Sequence, residues 1–235
     1  MSSRPKTAMI LAAGLGLRMR PLTLTTPKPL LKVAGKPIID YGVEKLIDAG
    51  VPKAIVNKHY LPDQIDHWAR QVKNIHMEVS DETDAVLETG GGIVRALPRL
   101  GSNPFYVLNS DCFWTEQGIP ALQRLGEGWN DAKMDCLLLL CAPRQTTGYD
   151  GSGDFKLAPD GRLTRENHDA LAYIGGYIVH PRLFAGVAES KFSMNILWDK
   201  AIAEGRLYGL AHAGHWLHVG TPDSIAAAEA YLKQG

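Results

Sequence analysis

Hydrophobic and polar positions follow two different rhythms along the chain, and the change falls near residue 142. Before it, short apolar runs alternate with segments whose apolar residues recur at helical spacing. Strands are predicted over 8–13, 54–56, 75–79, 105–108 and 136–141, and helices over 37–50, 65–72, 92–97 and around 122–125. Alternation of this kind predicts a right-handed, mostly parallel sheet covered by helices on both faces.

The second rhythm indicates shorter strands. A turn at Pro159-Asp160-Gly161 predicts a hairpin of 155–157 with 162–164. A strand over 172–179 contains Gly175-Gly176, which either form a bulge or allow a ligand or backbone to approach closely. A helix over 194–203, strands over 207–210 and 216–219, and a last helix with Thr221 as N-cap and Pro222 at N1 complete the chain. We expect one domain over 1–235, in which 142–235 form a lid and the C-terminal elements on the half made by 1–141.

Composition narrows the classes of partner. Lys+Arg and Asp+Glu both number 25, so no global positive field exists to gather nucleic acid or an anionic membrane. The longest apolar run, residues 136–142, is far shorter than the roughly 20 residues of a membrane-spanning helix, and 1–9 lead into too short an apolar stretch for a signal peptide. We therefore expect a cytoplasmic protein whose Cys112, Cys136 and Cys141 are buried free thiols.

The loop after the first strand has the composition of a phosphate-binding loop. A dinucleotide fingerprint needs a glycine at the position of Met19, and the Gly-Lys-Ser/Thr of a Walker loop is absent, so an oxidoreductase is disfavoured. What remains are Gly14 and Gly16, whose backbone N–H groups can surround a phosphate, followed by the cations Arg18, Arg20, Lys28 and Lys32. A solvated basic loop is the alternative.

Seven motifs resemble the nucleotide-sugar pyrophosphorylases, the family of sugar-1-phosphate nucleotidyltransferases. They are Ala12-Ala13-Gly14-x-Gly16-x-Arg18-x-x-Pro21, Pro27-Lys28-Pro29-Leu30, Gly35-Lys36-Pro37-Ile38, Glu88-Thr89-Gly90-Gly91-Gly92, Asn109-Ser110-Asp111, Gly153-Asp154-Phe155 and His215-Trp216-Leu217-His218-Val219-Gly220-Thr221. The resemblance covers essentially the whole chain. It implies a Rossmann-like three-layer α/β/α nucleotidyltransferase fold with a mostly parallel mixed sheet and a small β-rich sugar-binding lid.

The resemblance also implies a role for each matching residue. An NTP and a sugar-1-phosphate would react by in-line displacement with release of pyrophosphate. Within 1–141, the nucleotide-binding half, the nucleotide would contact Ala12, Ala13, Gly14, Gly16, Arg18, Glu88, Gly90 and Gly91. The sugar would contact Asn109, Gly153, Glu166, Asn167 and Gly175. Arg18 and Lys28 would be catalytic, and Asp111 would bind Mg²⁺. The other interpretations are a loop-capping carboxylate for Asp111, a solvent-facing Lys28, and a Glu88 that merely lies near a helix dipole.

One position departs from the family pattern. Relatives have an aspartate as second metal ligand where this chain has His218, and imidazole is a poor ligand for Mg²⁺. A weaker metal site, a water-mediated contact and a preference for Mn²⁺ stay open. A site of His212, His215 and His218 is disfavoured, because a spacing of three places strand neighbours on opposite faces. Ser110, where a glycine is common, is a second departure.

Several functional alternatives remain at this point. The resemblance favours UTP as the nucleotide and N-acetylmuramate-1-phosphate as the sugar phosphate, and a guanylyltransferase for mannose- or heptose-1-phosphate is the nearest alternative. A non-catalytic nucleotide-sugar-binding protein is the alternative from another class, because His218 replaces a metal carboxylate. We expect a monomer or a small homo-oligomer.

Overall fold

The computed structural model describes residues 4–166 and 168–234. Within these residues it has six α-helices and fourteen strands. The helices are α1 (Ile38–Asp48), α2 (Pro62–Gln71), α3 (Glu88–Leu100), α4 (Ala121–Gly128), α5 (Asn195–Ala203) and α6 (Pro222–Leu232). The strands are β1 (Thr7–Leu11), β2 (Lys32–Val33), β3 (Lys36–Pro37), β4 (Lys53–Lys58), β5 (His76–Asp81), β6 (Phe105–Asn109), β7 (Cys112–Trp114), β8 (Cys136–Cys141), β9 (Thr146–Thr147), β10 (Lys156–Leu157), β11 (Leu163–Thr164), β12 (Ala172–Val179), β13 (Leu207–Ala211) and β14 (Trp216–His218).

A seven-stranded sheet in the order β13-β8-β12-β6-β1-β4-β5 forms the centre of the protein. All neighbouring pairs are parallel except the two that β12 makes with β6 and β8. Successive residues of β1 face opposite layers: Ala8 and Ile10 pack into one buried cluster and Met9 into the other. The first cluster includes residues of α1, α2 and α4, and the second includes residues of α3 and α5. The predicted three-layer α/β/α arrangement with a mostly parallel mixed sheet is confirmed.

The second half of the chain is more than a lid. Strands β12 and β13 are built into the central sheet, and β12 lies between β6 and β8. The sequence prediction of a lid over 142–235 is wrong for these strands, because a strand added by a long connection leaves no trace in the local pattern. The predicted hairpin of β10 with β11 is confirmed. The predicted capping of α6 is also confirmed: Thr221 is the N-cap, Pro222 follows it, and Thr221 forms a capping box with Ser224.

The bulge predicted at Gly175-Gly176 is confirmed, and the close neighbours of the two glycines are side chains, not the ligand or backbone of the other explanation. The pairing of β12 with β8 shifts register between Tyr173 and Tyr177, as a bulge does. Gly175 has φ +85°, and a Cβ there would lie 2.3 Å from Cys112 Sγ. A side chain at this position is therefore excluded by both backbone conformation and space.

The triple glycine belongs to helix α3 and does not precede it. The predicted start at residue 92 is wrong, because the helix begins at Glu88. Glycine disfavours a helix interior, but this turn packs against another segment: a Cβ on Gly91 would lie 2.0 Å from the Ser190 carbonyl oxygen, and one on Gly90 would lie 2.2 Å from the Phe192 ring. Tertiary packing therefore decides the helix start.

Two further predictions concern membranes and cysteines. Across the described residues, helices long and apolar enough to cross a membrane are absent. Cys112, Cys136 and Cys141 are buried and free, as predicted.

Candidate functional site

A cleft of about 530 Å³ opens beyond the carboxyl ends of the parallel strands, where ligands bind in open α/β sheets. The loops after β1 and β6 form two of its walls, and the start of α3 forms a third. Its lining comprises Leu11, Ala12, Ala13, Gly14, Gly16, Leu17, Arg18, Met19, Lys28, Pro29, Asn57, Glu82, Val86, Leu87, Glu88, Thr89, Asn109, Ser110, Asp111 and Gly220. Most of the predicted phosphate-binding and metal-binding residues thus meet in one place, although they are far apart in the sequence.

The glycine loop leaves space for a ligand at one glycine and is tightly packed at the other. Around Gly14, a Cβ would meet no atom within 4 Å. Gly16 has φ +61°, and a Cβ there would lie 3.0 Å from the Thr23 side chain and 3.2 Å from the Lys28 side chain. The hydroxyl of Thr23 donates to the Gly16 carbonyl oxygen at 2.8 Å, which holds the loop against the segment that carries Lys28. Gly16 is therefore required by the fold, whereas Gly14 borders open space.

Lys28 and Asp111 form an ion pair in the cleft. Lys28 Nζ donates to Asp111 Oδ2 at 2.8 Å, with the lysine side chain 12% exposed and the aspartate 33%. Burial raises the pKa of Asp111, but the positive charge of Lys28 lowers it, and His218 and the hydrogen bond from Lys28 lower it further by smaller amounts. The lowering effects outweigh burial, so the pKa of Asp111 lies below its ordinary value. The pair places a fixed cation and an ionised carboxylate at the mouth of the cleft. The interpretations of Lys28 as a solvent-facing lysine and of Asp111 as a loop cap are thus disfavoured.

Arg18 also lines the cleft, but the other two cations of the predicted basic stretch do not. Arg20 and Lys32 are exposed, and neither belongs to the lining. The predicted cluster of four cations is therefore reduced to Arg18 and Lys28 at the site.

His218 lies beside Asp111 and its orientation is fixed. His218 Nδ1 contacts the Gly148 carbonyl oxygen at 3.0 Å and must donate to it, because a carbonyl oxygen only accepts. Nε2 lies 3.9 Å from Asp111 Oδ2, and the ring stacks on Trp216. The second ring nitrogen of His218 and a carboxylate oxygen of Asp111 thus face the same small volume.

A three-histidine metal site is not formed. His212 Nε2 contacts the Thr115 carbonyl oxygen, and His215 contacts Thr147 and stacks on Tyr231. Among residues 4–166 and 168–234, groups of three or more His, Cys, Asp or Glu side chains that could hold a metal ion are absent. Asp111 with His218 is the remaining donor set.

Two buried polar residues of the cleft escaped the sequence analysis. Asn57, at the end of β4, accepts the Ala12 N–H through Oδ1 at 2.6 Å and donates through Nδ2 to Glu82 Oε1 at 2.8 Å. Glu82 is 1% exposed, and its burial raises the pKa of its carboxyl despite the hydrogen bond from Asn57. A Cβ on Gly92 would lie 2.7 Å from this carboxylate. Asn57 directly follows the predicted strand 54–56, and Glu82 comes three residues after the predicted strand 75–79, which was the signal that could have found them.

The predicted nucleotide-binding residues around α3 divide into two groups. Glu88 lines the cleft and has φ +59°, a strained conformation for a non-glycine residue. Gly90 and Gly91 do not line the cleft: their N–H groups both point to the Phe192 carbonyl oxygen, at 2.9 and 3.3 Å. The structure thus does not bring these two glycines into the cleft lining, because the protein itself uses their N–H groups.

A second cavity of about 210 Å³ shares Leu11, Thr89 and Asn109 with the cleft. Its other lining residues are Asp154, Phe155, Arg165, Tyr173, Tyr177, Ser193, Met194, Asn195 and Trp198. The cavity thus lies between the cleft and α5.

The predicted sugar-binding residues surround this cavity, but only Asn109 lines it. Gly153, with φ +114°, packs against the backbone of Ala170, and Gly175 packs against Cys112. Glu166 forms an ion pair with Lys156 at 2.6 Å on the hairpin. The direct contacts predicted for Gly153, Glu166 and Gly175 are thus not supported, and Asn167 lies outside the described residues. Their sequence neighbours Asp154 and Arg165 line the cavity instead.

Comparison with known proteins identifies the family. The nucleotidyl transferase family matches residues 7–235. The chain is 40% identical over 241 residues to an N-acetylmuramate alpha-1-phosphate uridylyltransferase of Caulobacter vibrioides, with 100% of both chains covered. It is 36% identical over 228 residues to a protein of the same name from Neisseria meningitidis serogroup B, covering 95% of this chain and 96% of that one.

A solved structure of a UDP-glucose pyrophosphorylase from Acinetobacter baumanii has a TM-score of 0.77 at 18% identity and covers 98% of each chain, which shows a shared fold. The chain therefore belongs to the nucleotidyl transferase family. The predictions of family, Rossmann-like fold and enzyme class are confirmed. Enzymes of this family generally use divalent metal ions.

Proposed function

We propose that this enzyme joins UTP and N-acetylmuramate α-1-phosphate to give UDP-N-acetylmuramate and pyrophosphate. The observation that carries the reaction type is the meeting of the glycine loop, Arg18, Lys28 and Asp111 in one cleft with a second cavity beside it. The choice of substrates is supported by the full-length relative with 40% identity. Two adjoining cavities are what a reaction between two bound substrates requires.

The reaction needs charge stabilisation and no covalent nucleophile. A phosphate oxygen of the sugar-1-phosphate forms a bond to the α-phosphorus of UTP, and the bond from that phosphorus to the bridging oxygen breaks, which releases pyrophosphate. In our proposal the backbone of Ala12, Ala13, Gly14 and Gly16 and the guanidinium of Arg18 bind the triphosphate. Lys28 lies at the α-phosphate, where its ammonium stabilises negative charge that grows in the transition state.

In our proposal Lys28 gains a second partner when substrates bind. In the structure its ammonium contacts Asp111 at 2.8 Å. An ammonium has three donors, so Lys28 can contact a phosphate oxygen while it still interacts with Asp111. The ion pair thereby keeps the lysine oriented toward the position where the α-phosphate is bound in our proposal.

The donor set beside Lys28 fits a divalent ion that is held mainly by its substrates. Mg²⁺ in phosphoryl-transfer sites takes one or two carboxylates, with phosphates and water completing its shell. Asp111 would supply the carboxylate and His218 Nε2 a weaker ligand, directly or through water. When bound, such an ion neutralises phosphate charge during the displacement. The soft character of imidazole leaves Mn²⁺ as a second candidate metal.

The base would lie against the start of α3. Glu88 lines this wall together with Glu82, while Gly90 and Gly91 shape it from behind. The sugar would lie in the second cavity, with Asn109 between the two substrates. We further propose that the enzyme works in the cytoplasm on small molecules, as a monomer or small homo-oligomer, and binds neither nucleic acid nor membrane. The zero net charge supports the absence of nucleic acid and membrane partners.

A substrate panel tests the proposal. Pyrophosphate release is measured from UTP, GTP, CTP, ATP and dTTP, each with N-acetylmuramate-, N-acetylglucosamine-, glucose- and mannose-1-phosphate, in Mg²⁺ and in Mn²⁺. We expect turnover with UTP and N-acetylmuramate-1-phosphate. Turnover confined to GTP and mannose-1-phosphate would assign the guanylyltransferase alternative, and silence in both metals would favour a nucleotide-sugar-binding protein.

A further inference from the structure

The wall of the second cavity contains polar groups that have no partner within the protein. The hydroxyls of Tyr173 and Tyr177 and the indole Nε1 of Trp198 are buried and make no hydrogen bond within the described residues. All three residues line the cavity, and their rings pack edge to face with centroids 5.0 to 6.0 Å apart. Buried polar groups without partners are costly and rare in native proteins. These three polar atoms are enclosed within the wall, so the aromatic cluster shapes the cavity and hydrogen bonds to an occupant come from its other side chains.

One cation lines this cavity and it is held in a fixed orientation. Arg165 Nε donates to Asp199 Oδ1 at 2.9 Å, and Nη2 donates to Asn195 Oδ1 at 2.8 Å. Its guanidinium lies 4.3 Å from the centre of the Phe155 ring. These contacts use only part of the donor capacity of a guanidinium, and Nη1 has no hydrogen-bond partner among the described residues. The remaining donors are fixed in direction, which suits recognition of a planar anion.

We propose that Arg165 selects sugar-1-phosphates that carry a carboxylate by binding that carboxylate at the end of the cavity remote from the nucleotide. This inference rests on the proposed function, because N-acetylmuramate differs from N-acetylglucosamine by a lactyl ether that ends in a carboxylate. The phosphate of such a sugar lies at the shared wall of Leu11, Thr89 and Asn109, beside the nucleotide cleft. The carboxylate then accepts hydrogen bonds from the free donors of Arg165.

The neighbouring charges are compatible with this role. Asp154 is the one acidic side chain among the described lining residues, and its Oδ2 accepts the Tyr173 N–H at 2.9 Å and contacts the Tyr149 hydroxyl at 3.5 Å. Asp199 balances Arg165 from the other side. The adjacent Lys156 and Glu166 neutralise each other on the hairpin. Arg165 is therefore the cation that a substrate carboxylate in this cavity would meet.

The test compares two sugars in one enzyme. In Arg165→Gln, kcat/KM for N-acetylmuramate-1-phosphate with UTP should fall by about tenfold or more, the range of a lost charge-assisted hydrogen bond, and kcat/KM for N-acetylglucosamine-1-phosphate by less than about threefold. Arg165→Lys keeps the charge and should recover part of the loss. Arg162→Gln is the matched control: Arg162 is an exposed arginine of the same hairpin, paired with Asp160 and outside the cavity, and its loss should change neither value.

The outcomes separate this proposal from the proposed function. Equal losses for both sugars in Arg165→Gln would show that Arg165 only supports the cavity wall, and no loss for either would overturn the inference directly. A wild-type enzyme that turns over neither sugar would overturn the proposed function. In that case calorimetric binding of the two sugar phosphates decides on Arg165: a preference for N-acetylmuramate-1-phosphate that Arg165→Gln abolishes supports its role, and equal binding refutes it.

Discussion

Replacing Lys28 by methionine removes the central cation of the cleft while keeping a side chain of similar length. At the observed 2.8 Å, the attraction between Lys28 and Asp111 is roughly 6 kcal/mol with an effective dielectric constant of about 20. The cost of removing both charged groups from water offsets most of this attraction, so the ion pair contributes little to the free energy of unfolding. The importance of Lys28 should therefore show in the reaction more than in folding.

The loss of one preorganised donor to a transition-state oxyanion lowers kcat by a factor of roughly 100 to 1000. We expect Lys28→Met to lower kcat by that factor and to change KM for UTP and the sugar phosphate by less than about threefold, because the ammonium acts on charge that develops during the displacement. Pyrophosphate release under saturating and limiting substrate measures both constants. Lys32→Met is the control, since Lys32 is exposed and lies outside the cleft lining.

The pH profile gives a second readout of the same variant. Without the charge of Lys28, burial raises the pKa of Asp111, so that the carboxylate needed for the metal is lost at a higher pH than in the wild type. The acid side of the rate profile at limiting metal should move to higher pH in Lys28→Met. An unchanged kcat with a raised KM would refute the assigned role of Lys28, and an unmoved acid side would refute its coupling to Asp111.

Three further predictions address the fold and the metal site. Burial raises the pKa of Glu82, so the folded state holds this proton more tightly than the unfolded state, and the wild type loses stability as pH rises through that pKa. In urea unfolding, Glu82→Gln should therefore be more stable than the wild type near pH 7, and the difference should vanish near pH 4. A difference that does not depend on pH would contradict this. Gly14→Ala should keep the wild-type melting temperature and raise KM for UTP, whereas Gly16→Ala should lower the melting temperature; equal melting temperatures for both would show that the loop is not packed as described. His218→Asp places a second carboxylate beside Asp111 and should hold or raise activity in Mg²⁺ relative to Mn²⁺, so a loss of activity in both metals would mean that the imidazole has a task of its own.

The sequence was most informative where local pattern and local chemistry agree. The strand before Gly14, helix α1 ending before Gly50 and the hairpin at Gly161 all follow from apolar periodicity combined with turn residues. Because the carboxyl ends of β1 and β6 meet at one edge of the sheet, the sequence also placed Arg18 and Asp111 at one crevice correctly.

The errors arose where distant segments decide the structure. Insertion of β12 between β6 and β8 depends on pairing over long sequence separations, which periodicity does not record. Gly90 is helical because it packs against Phe192, about a hundred residues away, and this contact also removes it from the cleft lining. Arg165 has no local signal that separates it from any exposed arginine. These residues became visible only through their tertiary contacts.

A competition experiment tests the central claim most directly. The enzyme is incubated with all five nucleoside triphosphates and all four sugar-1-phosphates at equal concentrations with Mg²⁺, and the nucleotide sugars that form are identified by mass spectrometry. We expect UDP-N-acetylmuramate to accumulate first and in excess over every other product. Predominance of GDP-mannose, or the absence of any nucleotide sugar in Mg²⁺ and again in Mn²⁺, would contradict it.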